Sequence, residues 1–525
     1  MPPEKHSSTA SHPSHAPVPP ETAAPTGRNK PAQGKERSDA ALGHASQNTS
    51  SPEGAKEGAW PVVPLSEVVE INPRSGDDKL ADDTLASFIP MKCVEEESGR
   101  FEPLGDRKVA EVRKGYTPFR DGDVLFAKVT PCMENGKGAV MRGLTNGIGF
   151  GSTELFALRP SDRLEANYLF HFILQSSFRQ QAARNMTGAV GLRRVPKSYL
   201  EQQPIPLPPL PEQRRIVAEI EKQFTRLEAG VAALRRVQAN LKRYRAAVLK
   251  AACEGRLVPT EAALARSPRS TKNGPPAYET GAALLARILT ERRQNWQGRG
   301  QYKEPAAPDI ENLPDLPSGW TWASLDQLLG LMRNGISAKP DAESGLPMLR
   351  ISSVRALSVN LSEARYLNAK VSDYPDYVLT EGDLLFTRYN GNPELVGVCG
   401  VVPPLTSPLV HPDKLIRCKL VSSGALPDFV AIMANVGASR NYLAKRVRTT
   451  AGQAGISGGD LKGLPIPLAP LAEQTRIVAE VERRLSVVEE LESVVTANLQ
   501  RATRLRQSIL QKAFTGKLAR GEASG

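Results

Sequence analysis

The side chains with the richest chemistry are few, and they are badly spaced for it. His171 and His411 stand beside no nucleophile and no run of metal-ligating residues, so both read as structural histidines. The five cysteines, Cys93, Cys132, Cys253, Cys399 and Cys418, are odd in number and scattered, with no CxxC pair. That spacing supports neither a zinc cluster nor a disulfide framework, and it fits a reducing cytosol. The other four histidines, His6, His12, His15 and His44, lie among Ser, Pro and Ala, a composition that cannot hold ligands in a preformed geometry. No metal site is predicted. GxxxxGK[ST] is absent, so nothing cradles nucleotide phosphates and reaches them with a lysine. Gly147-Ile148-Gly149-Phe150-Gly151 lacks the spacing and the strand-turn-helix frame of a dinucleotide loop, and a turn is expected there. Asn392-Pro393 begins like the Asn-Pro-Pro-Tyr element with which amino-methyltransferases hold a flipped adenine. Glu394 and Leu395 stand where a proline and an aromatic ring are needed. Gly-x-Ser-x-Gly and HExxH are also missing, so no catalytic residue is assigned.

What remains is charge and architecture. The chain has 525 residues, enough for three or four folded units, and a net charge of +12 with a pI near 9.4. That balance favours a polyanionic partner, either nucleic acid or an anionic membrane surface. No apolar run approaches membrane-spanning length, and residues 1–51 lack the apolar core of a secretory signal. A cytoplasmic protein without membrane partners is expected.

The elements that must position any site are written twice. Trp60-Pro-Val-Val-Pro-Leu65 is answered by Trp320-Thr-Trp-Ala-Ser-Leu325, and Gly122-Asp-Val-Leu-Phe-Ala-Lys128 by Gly382-Asp-Leu-Leu-Phe-Thr-Arg388, both at an offset of 260. Pro204-Ile-Pro-Leu-Pro-Pro-Leu-Pro-Glu-Gln-Arg-Arg-Ile-Val-Ala-Glu219 is answered by Pro465-Ile-Pro-Leu-Ala-Pro-Leu-Ala-Glu-Gln-Thr-Arg-Ile-Val-Ala-Glu480 at 261. Repetition on that scale indicates tandem duplication.

In each copy about 150 residues mix strand-like runs with short helical stretches, and a helix of about 43 residues follows, opened by prolines and closed by Gly255 or Gly516. The helices keep a heptad seam. It includes Ile220, Leu227, Leu234 and Leu241 in the first, and Val481, Val488, Val495 and Ile509 in the second. Equivalent seams can pair with each other, and the connectivity predicts an antiparallel pair about 60 Å long. Arg245 and Arg506 are polar seam positions that either fix the register or face a partner. The predicted class is α+β: two mixed α/β domains separated by a long antiparallel two-helix coiled coil, with a pseudo-twofold internal repeat. The predicted segments are a disordered tail at 1–58, a first domain at 59–207 and a first long helix at 208–257. A linker with a short helix follows at 258–318, then a second domain at 319–468, a second long helix at 469–518 and a tail at 519–525. Trp296 and Tyr302 in the linker are read either as packing onto the coil or as partner anchors.

This pattern resembles the specificity subunit of type I restriction-modification systems, through the doubled PIPLPPLPEQRRIVAEIE and PIPLAPLAEQTRIVAEVE junctions and the GDVLFAK and GDLLFTR runs, over nearly all of Trp60 to Leu518. The resemblance implies a noncatalytic subunit with two target recognition domains that read a bipartite, asymmetric site on double-stranded DNA. It also implies two modification subunits as partners, restriction subunits where the system has them, and S-adenosylmethionine, ATP and Mg bound by those partners and none by this chain. Arg and Lys pair with guanine N7 and O6, and Asn and Gln with adenine N6 and N7. Candidate DNA-binding residues near glycine turns are therefore Lys128, Asn135, Lys137, Arg193 and Arg194 in the first domain. In the second they are Arg388, Asn390, Asn392, Arg448 and Gln453. A coiled-coil scaffold that does not touch DNA is the alternative, and the basic balance counts against it.

Overall fold

The computed structural model describes residues 60–73, 80–189, 191–266, 278–297, 300–422, 424–450 and 452–518. The expected tails at 1–58 and 519–525 lie outside them, as does the turn-rich stretch of the linker at 267–277. The helices that matter are α1 (Ala166–Ile173), α2 (Leu210–Cys253), α3 (Gly281–Gln294), α4 (Pro427–Ala434) and α5 (Leu471–Phe514).

The duplication is visible strand by strand. In the first copy Val69–Ile71, Leu155–Pro160, Val124–Ala127 and Gly138–Val140 form an antiparallel sheet in that spatial order. In the second, Leu329–Asn334, Leu415–Leu420, Leu384–Thr387 and Cys399–Val401 repeat it within a six-stranded sheet. The Gly-Asp-x-Leu-Phe runs are the buried third strands of these sheets. Their aspartates are structural. Asp123 takes two bonds of 2.8 Å from Arg159 and caps the turn at Arg120, while Asp383 pairs with Arg417 at 2.8 Å and caps the turn at Thr380. The glycine run at 147–151 does not form a turn over its length, because Ile148–Gly151 is a strand of a second sheet. A Cβ on Gly149 would lie 2.3 Å from the Phe119 ring, and one on Gly151 would lie 2.4 Å from the Ile89 carbonyl oxygen. These glycines permit strand packing and hold no phosphate.

The repeated junction closes each globular part onto its long helix. Val62–Pro64 pairs with Pro204–Pro206, and Thr321–Ser324 with Pro465–Leu468. Prolines are tolerated because each pairing is two strands wide and leaves one edge free of the ladder. Gln213, fully buried one turn into α2, accepts from the Glu165 N–H at 2.8 Å and donates to the carbonyls of Arg163 and Pro208. Gln474 repeats the arrangement in α5 with Leu426 and Ala469. The glutamine of the motif is thus a staple between the long helix and the segment that opens the short helix of its own globular part.

The long helices pack on each other and run antiparallel. Arg245 of α2 reaches Glu489 of α5 at 3.1 Å and Glu492 at 3.8 Å, while Arg506 of α5 reaches Glu228 of α2 at 3.2 Å. Shifting the first pair by 261 residues and exchanging helices gives the second pair, as an internal twofold axis requires. Both seam arginines thus find acceptors across the coil, as a role in register requires. Arg506 also donates to the Glu97 carbonyl at 2.7 Å and lies 3.9 Å from the Phe224 ring.

The seam is a pure helix-helix contact only in its middle, where Leu241, Val488 and Val495 are buried with Leu234 and Leu499 against them. Leu227 and Leu234 are half-buried. Toward the ends the seam merges with the globular cores. Ile216, Ile220, Phe224, Ile509 and Phe514 belong to the first core, and Val248, Ala252, Ile477, Val481 and Leu485 to the second. Helix α3 packs Leu284 and Ile288 into that second core. The Trp296 and Tyr302 rings meet edge to face at 5.6 Å, and Trp296 remains exposed.

Candidate nucleic-acid interface

The first cluster forms where the chain leaves the Val124–Ala127 strand. The Lys128 N–H donates to the Glu154 carbonyl at 3.0 Å, and the Lys128 carbonyl accepts from Val195 N–H at 2.9 Å. This brings the 187–195 loop alongside, with Val129 and Thr187 both bridged to Arg194. Lys128, Arg193 and Arg194 are therefore neighbours although 65 residues separate them in the chain. Asn135 and Lys137 lie on the turn that follows; the Ala127 N–H donates to the Lys137 carbonyl at 2.9 Å.

Most of these side chains are already engaged. Arg194 forms a two-pronged pair with Glu154 at 2.9 and 2.7 Å, which holds the Glu154 carboxyl below its usual range and raises the Arg194 guanidinium. Arg193 donates to the Ala183 carbonyl at 2.8 Å, and Asn135 donates to Glu96 at 3.0 Å. The Lys128 ammonium lies 5.4 Å from the Phe156 ring centre and forms no ion pair with a described carboxylate.

The second cluster uses the same backbone with different chemistry. Arg388 N–H donates to the Lys414 carbonyl at 2.8 Å, and the Arg388 carbonyl accepts from Ile456 N–H at 3.0 Å, matching the Lys128 contacts one repeat away. The position held by Glu154 in the first copy is held by Lys414 in the second. The Arg388 guanidinium and the Lys414 ammonium lie 4.8 and 5.1 Å from the Tyr389 ring centre. Arg388 donates only a long 3.5 Å bond, to the Asp413 carbonyl, and its Nε has no partner.

Tyr389–Asn390, Gln453–Gly455 and Arg448–Thr450 form a three-stranded sheet, so all five candidates of the second domain meet on one small platform and its adjoining turn. Gly455 is required under the Tyr389 ring, which a Cβ would approach to 2.4 Å. The Asn390 and Asn392 side-chain oxygens are spent on local turns, accepting from the N–H groups of Asn392 and Glu394. Tyr389 and Lys414 were missed by the sequence reading. The exchange of Glu154 for Lys414 across the repeat was the available signal.

Neither buried histidine adds a reactive group. Burial pushes His171 down to about 3 and His411 down to about 4, so both are neutral at pH 7. Among the described residues no group of His, Cys, Asp or Glu could hold a metal ion, and no helix is long and apolar enough to cross a membrane.

Comparison with known proteins decides the family of the chain. Residues 58–233 match the family described as the type I restriction modification DNA specificity domain. The EcoKI specificity subunit of Escherichia coli strain K12 is 34% identical over 364 residues, covering 69% of this chain and 67% of that one. The chain belongs to the specificity subunits of type I restriction-modification systems. The EcoEI specificity subunit of Escherichia coli is 29% identical over 509 residues, 87% of this chain and 82% of the relative. A chain from a solved structure on complex assembly and conformational transition of the type I R-M system shares the fold. Its TM-score is 0.62 at 22% identity, covering 88% of this chain and 98% of that one. This specificity subunit supplies DNA sequence recognition to a restriction-modification complex and is not itself the enzyme.

Proposed function

We propose that this specificity subunit reads a bipartite, asymmetric target on double-stranded DNA, one half-site with residues 59–207 and the other with residues 319–468. In this reading residues 208–257 and 469–518 are the antiparallel coiled coil that sets the spacing, and residues 258–318 are the linker. One observation carries it: the two clusters share backbone contacts one repeat apart, yet present Lys128 with an Arg194–Glu154 pair in one domain and Arg388, Tyr389 and Lys414 in the other. Equal placement with unequal chemistry suits two different short sequences. The candidate readers are Lys128, Asn135, Lys137, Arg193 and Arg194, and Arg388, Asn390, Asn392, Arg448 and Gln453, with Tyr389 and Lys414 added.

The internal twofold of the rod offers two equivalent regions, so one chain would accept two modification subunits. Val237, Tyr244, Val487, Leu491 and Val494 are exposed apolar side chains of the rod available to such a partner. S-adenosylmethionine, ATP and Mg would be bound by the modification and restriction subunits, in the cytoplasm. Methylome sequencing with and without this gene, and with residues 59–203 exchanged for another reading domain, tests the proposal. A split motif that changes in one half only is expected; a continuous motif, or loss of both halves, contradicts it. Mass measurement of the purified complex should give two modification subunits per chain.

A further inference from the structure

The basic excess that suggested a polyanionic partner is not where the candidate readers are. Residues 60–207 carry equal numbers of basic and acidic side chains, and residues 319–468 only three more basic than acidic. Helix α2 alone holds ten basic residues against four acidic, half of the chain's net +12. From Ala229 to Cys253 it carries Arg235, Arg236, Lys242, Arg243, Arg245 and Lys250 and no carboxylate.

Two of the six are accounted for, Arg245 by Glu489 and Glu492 across the coil and Lys250 by Glu254 at 3.9 Å. Arg235, Arg236, Lys242 and Arg243 are exposed and pair with no described carboxylate. Two of the three acids nearest the first two already pair with other arginines. Glu96, Glu97 and Glu228 share a concavity with Arg235 and Arg236, but they accept from Asn135, Arg179 and Arg506.

The four cations follow the seam residues Leu234 and Leu241 by one and two places. Tyr244 and Val237 precede the seam positions Arg245 and Gln238. At 100° per residue the cations and the exposed apolar side chains fall on different sides of the helix. On α5 the matching positions are Thr496, Ala497, Thr503 and Arg504, so the run belongs to one helix only. Like charges at this density repel one another, and folding gains nothing from them. An external polyanion would compensate them.

We infer that this face of α2 grips the phosphates of the DNA between the two half-sites. The inference rests on the bipartite reading above and adds to it a third contact region that carries affinity without sequence information. From Arg235 to Arg243 the helix rises about 12 Å, matching three to four base pairs of duplex at about 3.4 Å each. The rod is then both the spacer and the electrostatic support for the base pairs that neither reading domain touches.

The test uses the complete complex with its modification subunits, comparing the wild-type chain with R235Q/R236Q/K242Q/R243Q on a duplex carrying the methylated motif. Each phosphate contact contributes about 0.9 to the slope of log affinity against log salt. Between 50 and 200 mM salt the wild type should therefore lose on the order of 100-fold more affinity than the variant. Replacing the spacer phosphates by neutral methylphosphonates should weaken the wild type and leave the variant unchanged. R235K/R236K/R243K, which keeps every charge, should behave as wild type. Equal salt slopes, or equal sensitivity of both chains to methylphosphonates, would overturn the inference. So would loss of modification subunits from the glutamine variant, which would make the face a protein contact. If the wild type failed to prefer the motif over a scrambled duplex, the bipartite reading itself would fall, and this result is distinct from all the others.

Discussion

Replacing Arg388 with alanine separates a recognition role from a structural one, because the structure limits what the folded chain can lose. The guanidinium gives up one 3.5 Å bond to a backbone carbonyl and its contact with the Tyr389 ring, and it belongs to no ion pair. A half-exposed cation-π contact contributes about 0.5–1 kcal/mol, so stability should fall by about 1 kcal/mol at most. A base-reading arginine contributes about 1–3 kcal/mol of discrimination, which is about 5- to 150-fold in affinity at one position. The assay is competition binding by the assembled complex, cognate duplex against single-base variants across the motif, with thermal melting of the same preparation. The expected result is loss of cognate affinity and relaxed preference at one base pair of one half-site, with a nearly unchanged melting temperature. Unchanged cognate affinity would remove Arg388 from the site. A loss that is uniform over all sequences would show a phosphate contact and refute base reading. Arg194→Ala is the contrasting case: it frees the Glu154 carboxylate beside Lys128, so it should weaken DNA binding even if Arg194 touches no base.

Other outcomes follow from the same geometry. Leu234→Asp with Val495→Asp puts two carboxylates into the middle of the seam beside Leu241 and Val488, a burial without partners that should cost several kcal/mol and abolish both complex assembly and split-site recognition; normal assembly of the double variant would contradict the rod. Exchanging Arg245 and Glu489 in one chain should restore most of what either single reversal loses, within the 1 kcal/mol or so typical of exposed pairs, and a double-mutant cycle with no coupling would deny their role in register. His171 and His411 are held below the value of about 6.5 that they recover on unfolding, so the unfolded chain binds more protons below that pH, and stability should fall as pH drops from about 6.5 toward 4. His411→Gln should flatten that fall, as read by urea midpoints at pH 7 and 5; an equal fall in the variant would rule the histidine out as its source.

The sequence by itself determined the duplication, the family and the antiparallel pairing of two long helices. All three follow from periodicity and offset, which survive without coordinates: a seam repeating every seven residues can be buried only against a matching seam. It also placed Arg245 and Arg506 at positions that need acceptors, although their carboxylates are 244 and 278 residues away and could not be read from spacing. The tertiary structure alone decided which candidate cations are free. Arg194 and Arg388 look alike along the chain, yet Glu154 neutralises the first, while Lys414 and Tyr389 surround the second. It also turned the supposed glycine turn at 147–151 into a strand, because Phe119 and Ile89 from distant strands need the space that a side chain would fill. Charge compensation and steric exclusion act between groups brought together through space, so the net charge of the sequence favours a polyanionic partner without saying which cations stay unpaired. The longest run of cations without an ion pair to a described carboxylate lies on the rod, on a stretch of helix that carries no acidic residue of its own.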